Sequence, residues 1–144
     1  MIRNAALMLT AFAAIAIAPS AHAADNRALV GAWHLVAVEQ PAPDGSVQKI
    51  EGPGLLTFTK DGHMALQLMQ PETTANAYSH GGYEATFGTF RMNGRGRFTY
   101  HITGSLVRDL VGKDLPRRFR ITGKTLEISS TRADEHWRVI WARD

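Results

Sequence analysis

Gly54-Leu55-Leu56-Thr57-Phe58-Thr59-Lys60-Asp61-Gly62-His63-Met64-Ala65-Leu66-Gln67-Leu68-Met69 is the stretch on which the fold turns. Leu56 and Phe58 share one face of the first half, and Met64, Leu66 and Leu68 alternate with more polar neighbours in the second. A period of two marks strands with one buried face. Between the halves, Lys60-Asp61-Gly62 offers a glycine that takes positive φ at no steric cost, so a tight antiparallel hairpin is expected.

The same pattern extends in both directions. Trp33 to Glu39 is a strand-like run closed by Gln40-Pro41-Ala42-Pro43-Asp44-Gly45. Glu84 to Met92 and Arg97 to Thr103 face each other across Asn93-Gly94-Arg95-Gly96, with Phe98, Tyr100 and Ile102 as one apolar face. Arg117 to Thr122 turns at Gly123-Lys124 into Thr125 to Thr131, which sets Phe119 and Ile121 against Leu126 and Ile128. Trp137 to Arg143 places Trp137, Val139 and Trp141 on one side. About eight short strands joined by tight turns predict an all-β domain, a single antiparallel up-and-down barrel that closes because an open sheet would leave two edges unpaired. Gln70 to Gly82 reads as a polar loop, and Gly104 to Pro116 as a connection with room for a short helix, either one placed to cover a barrel mouth.

Residues 1–23 read differently from the rest. A short start carrying Arg3 leads into an apolar run of 14 residues, Ala5 to Ala18, and then Ala21-His22-Ala23. That order predicts a cleaved signal peptide, in a run too short to serve as a membrane-spanning helix. A cut after Ala23 leaves residues 24–144 as one domain in the periplasm or secreted, 121 of the 144 residues. There is no cysteine, which excludes disulfides, thiol nucleophiles and thiolate metal sites. Without Arg3, 15 basic residues stand against 13 acidic ones. The arginines are bunched, Arg91, Arg95 and Arg97 in one group and Arg117, Arg118 and Arg120 in another. No nucleic-acid partner and no transmembrane anchor are expected. A solvated barrel rim accounts for the arginines, with weak contact to an anionic lipid surface as the other use for them.

Leu29-Val30-Gly31-Ala32-Trp33 resembles the Gly-x-Trp opening of calycin-type barrels, and the hairpin at 54–69 resembles the bacterial and fungal lipocalin-like domain family. Tyr83-Glu84-Ala85-Thr86-Phe87-Gly88-Thr89-Phe90, Thr99 to Leu106, Val111-Gly112 and Arg117-Arg118-Phe119-Arg120 follow in the family's order. The resemblance spans about residues 29–143 and implies a lipocalin-like barrel in which Trp33 closes one end under Arg143. It implies binding of a small hydrophobic or amphipathic ligand. It leaves as alternatives a cofactor-free isomerase or cyclase working in the same cavity, and an envelope scaffold or interaction protein with a filled barrel.

The chemistry-bearing residues are few. The five histidines beyond Ala23 show neither His-x-His nor His-x-x-x-His spacing, so neither a metal nor a cofactor is expected. No Gly-x-Ser-x-Gly elbow, phosphate loop or dinucleotide fingerprint occurs. Phe58, Met64, Leu66, Phe90 and Tyr100 are the expected apolar lining, with Tyr83 and His101 as orienting polar contacts. His63, Gln67 and His101 pose one question of direction: alternation turns them to water, while their place in the shared segments argues for the interior. The isomerase alternative rests on His101 as acid or base, with Tyr83 or Tyr100 as donor.

Overall fold

The computed structural model describes residues 21–74 and 76–144, with side chains from Asp25 onward. The proposed signal peptide lies almost wholly outside the described residues. A helix α1 (Ala21–Leu29) precedes nine strands: β1 (Gly31–Pro41), β2 (Val47–Ile50), β3 (Gly54–Phe58), β4 (His63–Met69), β5 (Tyr83–Met92), β6 (Arg97–Ser105), β7 (Asp114–Thr122), β8 (Thr125–Ser130) and β9 (Arg138–Ala142). All pair antiparallel in the order β2-β1-β3-β4-β5-β6-β7-β8-β9, and β1 also pairs with β9. That last pairing closes an eight-stranded up-and-down barrel and leaves β2 outside the ring, bound only to β1.

The eight runs expected from alternation are the eight strands of the ring. His63–Met69 alternates without exception, exposed at His63, Ala65, Gln67 and Met69 and buried at Met64, Leu66 and Leu68. Gly62 turns at φ 89° and Gly123 at φ 59°, the left-handed values that tight hairpins need. Across the second of these turns Phe119 pairs with Ile128 and Ile121 with Leu126.

One strand was not expected, and the helical connection is shorter than an α-helix. Val47–Ile50 extends the end of β1 as a hairpin arm whose turn is held by the Asp44 carboxylate, which accepts from Ser46 N at 2.9 Å. The Gly104 to Pro116 connection holds only one 3-10 turn, Arg108–Leu110. Its first two residues belong to β6 and Asp114 to Pro116 belong to β7, where Leu115 precedes proline, a position that favours extended backbone.

Successive connections alternate between the barrel's two ends. The turns at Lys60–Gly62, Asn93–Gly96 and Gly123–Lys124 share one end with α1. At that end the Trp33 indole donates to the Leu29 carbonyl at 2.9 Å, and Arg143 Cζ lies 4.3 Å from the Trp33 ring centroid. Arg143 Nη1 also donates to the Ala28 carbonyl at 3.1 Å, and the Asp25 carboxylate accepts from Gly96 N at 3.2 Å. Leu29, Trp33 and Trp141 are fully buried there, so this end is sealed by packing. The long connections lie at the other end.

Candidate functional site

Above the sealed base the core begins as solid aromatic packing. Phe58 meets Phe90 edge-to-face at 5.0 Å and Phe98 at 5.7 Å between ring centroids. Beyond Phe98 the barrel opens into a cavity of about 520 Å³. Met64, Leu66, Ile102, Ile128, Val139 and Trp141 form its apolar wall. Ala77 and Tyr78 of the Gln70–Gly82 loop line it, as do Leu110 of the 3-10 turn and Glu135 and His136 of the β8–β9 connection. This volume is within the range of small-molecule sites, about 300–1,000 Å³.

A few polar groups break the apolar wall. Tyr100 donates its hydroxyl to Thr86 Oγ1 at 3.1 Å, and burial pushes its phenol up to about 12. Glu84 lines the same space on β5. Burial among apolar groups lifts its carboxyl to about 8, even though the Arg117 charge pulls the other way, so Glu84 is protonated at neutral pH. Arg117 reaches in from β7 with 7% of its surface exposed. Its guanidinium lies over the rings of Tyr78 and Trp137, 5.2 and 5.0 Å from their centroids, and Nη1 donates to the Pro116 carbonyl at 3.1 Å. The Tyr78 hydroxyl in turn donates to Glu135 Oε1 at 2.7 Å. Among the described residues no group of three metal-ligating side chains gathers.

The residues singled out from sequence separate into three sets. Met64, Leu66 and Tyr100 stand on the cavity wall. Phe58 and Phe90 do not; they fill the barrel below it, where the strands converge on the sealed base. Tyr83 and His101 lie on the barrel exterior, and the reason is alternation. With Glu84 and Thr86 lining the cavity, Tyr83 on β5 turns outward. With Phe98, Tyr100 and Ile102 inward, His101 must leave the barrel, and its imidazole pairs with Asp114 at 2.8 Å across the β6–β7 ladder. The side chains of this pair are 51% and 53% exposed. His63 and Gln67 are outside as well. An acid or base role for His101 in the cavity is thereby removed.

Glu84, Thr86, Arg117 and Trp137 were missed as site residues, though strand parity carries the signal for all four. Phe90 inward on β5 requires Thr86 and Glu84 inward; Phe119 and Ile121 require Arg117 inward; Trp141 and Val139 require Trp137. Tyr78 sits in a loop, where no period applies.

A family model for the lipocalin-like domain matches residues 30–143, which take in the whole of the barrel. The chain belongs to the lipocalin-like domain family. Among solved structures, a lipocalin-like protein from Bacteroides uniformis is 16% identical, with a TM-score of 0.51, over 81% of this chain and 98% of that one. An uncharacterized protein from Bacteroides eggerthii is 14% identical, with a TM-score of 0.49, over 81% and 99% of the two chains. At these identities the likeness concerns the fold. No curated protein matches the chain. In this lipocalin-like barrel the Trp33–Arg143 stack marks the sealed end, and the cavity lies toward the opposite one.

Proposed function

We propose that this lipocalin-like protein is exported and binds a small, largely apolar molecule inside its barrel. The observation that carries the reading is the cavity of about 520 Å³ between the aromatic floor and the long loops. A scaffold barrel has its interior filled by side chains; this one stops filling at Phe98. The apolar wall supplies affinity through surface removed from water, at about 25 cal/mol per Å². Thr86, Tyr100 and Arg117 supply fixed polar points for orientation. The outward arginines, Arg97 and Arg118 facing each other across the β6–β7 ladder, leave room for weak contact with anionic lipid head groups.

Leu115 lines the cavity from β7 and is only partly buried, so a larger side chain there enters the cavity with little cost to the core. The fluorescence of N-phenyl-1-naphthylamine, a neutral apolar dye, is expected to rise on mixing with the protein and to fall at least about tenfold in affinity in Leu115→Trp. Binding unaffected by Leu115→Trp, in a variant with an unchanged circular dichroism spectrum, would place the dye outside the barrel.

A further inference from the structure

The cavity wall carries more hydrogen-bond donors than the protein answers. Trp137 Nε1 and Trp141 Nε1 are buried without an acceptor among the described residues. Arg117 forms no ion pair among the described residues, and the Pro116 carbonyl takes only one of the five N–H groups a guanidinium offers. Its head is held in place over Tyr78 and Trp137, so the fork is oriented before any ligand arrives. A buried, pre-positioned cation with unanswered donors is matched by an anionic acceptor.

The shape and charge of the surroundings narrow that acceptor. One guanidinium presents one planar fork, which a carboxylate fits in two parallel hydrogen bonds. Glu135 keeps one carboxylate oxygen, Oε2, buried and without a partner near this end of the cavity, so a doubly charged head group would meet repulsion there. Glu84, protonated at neutral pH, adds an O–H donor and no charge. The rest of the wall, from Met64 to Ile128, suits an apolar body.

We propose that the ligand is an amphipathic monoacid, an extended apolar body ending in a single carboxylate, and that Arg117 grips that carboxylate through both arms of its fork. The proposal rests on the binding reading above and adds the chemical class. Glu84 and the Trp137 indole stand on the same wall as further donors to the head group.

Dodecanoic acid and 1-dodecanol share a chain and differ in the head, so displacement of N-phenyl-1-naphthylamine by each at pH 7 isolates the carboxylate. The acid is expected to displace the dye at a concentration about tenfold or more below the alcohol. In Arg117→Gln the two are expected to become equal, each measured against the dye affinity of that variant. In Arg117→Lys, which keeps the charge and loses the fork, the preference is expected to shrink. Equal displacement by acid and alcohol in the unaltered protein overturns the proposal and leaves apolar binding intact. Preference undiminished in Arg117→Lys overturns the two-armed grip. If neither the dye nor the alcohol enters, the binding reading falls together with the proposal. The comparison in the unaltered protein needs no variant, so a poorly folding Arg117→Gln does not shelter the proposal.

Discussion

Glu84 shows how far one side chain departs from its surface behaviour when a barrel closes around it. Its carboxyl titrates near 8 in the folded protein against 4.5 for an ordinary glutamate, with burial as the cause and Arg117 only partly compensating. The groups nearest to it in charge are Arg117 and the Tyr100 phenol. Below pH 4.5 both folded and unfolded chains hold the proton, and the group costs nothing. Between 4.5 and about 8 the unfolded chain releases the proton and the folded chain keeps it, so stability falls as pH rises. Above about 8 the loss levels off, having reached a few kcal/mol at about 1.4 kcal/mol per pH unit. Glu84→Gln is therefore expected to match the unaltered protein in thermal midpoint at pH 4 and to exceed it at pH 9. A constant offset across that range would show that Glu84 does not titrate between its folded and unfolded values. Its inward direction was legible in the alternation that ends at Phe90. Its neighbour Arg117 was equally legible by parity, yet an arginine in an arginine-rich run reads first as surface. For both, charge outweighed period in the reading, and period was the better guide.

At the scale of strands, the turn glycines and apolar alternation were enough to locate every member of the ring. The arm β2 escaped because Val47-Gln48-Lys49-Ile50 has only Ile50 buried, so no period is written in it. The β5–β6 pair holds another feature that alternation does not reveal. Its register shifts between Phe87 and Gly88, so that Gly88 pairs with Ile102 and Phe87 with Gly104. Thr103 is thereby left as an extra, unpaired residue on β6, which bends the strand and increases its twist. It also presses the two strands together: a Cβ on Gly88 would lie 1.9 Å from the His101 carbonyl oxygen. Phe87, 58% exposed, covers Gly104 from outside, which explains an aromatic residue on the solvent face. Gly88→Ala is expected to cost about 1–3 kcal/mol or more, since backbone rather than a flexible side chain must give way. A chemical denaturation midpoint indistinguishable from the unaltered protein would contradict the shifted register. His101, one pair along, owes its outward position to the same ladder.

For the molecule as a whole, the export reading makes a simple demand. Protein recovered from the cell envelope is expected to have the mass of a chain starting at Ala24, and recovery of the full 144 residues from the cytoplasm would count against export. A chain cut there keeps Asp25, the Leu29 carbonyl and the Ala28 carbonyl, so the sealing contacts to Gly96, Trp33 and Arg143 survive. Among the described residues no helix is long and apolar enough to cross a membrane.

The ring is closed by its first and last strands, with His34 beside Ala142 and Glu39 beside Arg138. No earlier stretch can stand in for β9, because β1 already gives its other edge to β3 and β2. A ribosome that has released everything but the last strand therefore holds a curved sheet with two open edges. The tunnel must yield β9 before the ring can shut, and the Arg143 clasp over Trp33 follows directly after it. Synthesis time thus becomes a built-in delay on folding: until β9 emerges, the ring stays open along two edges.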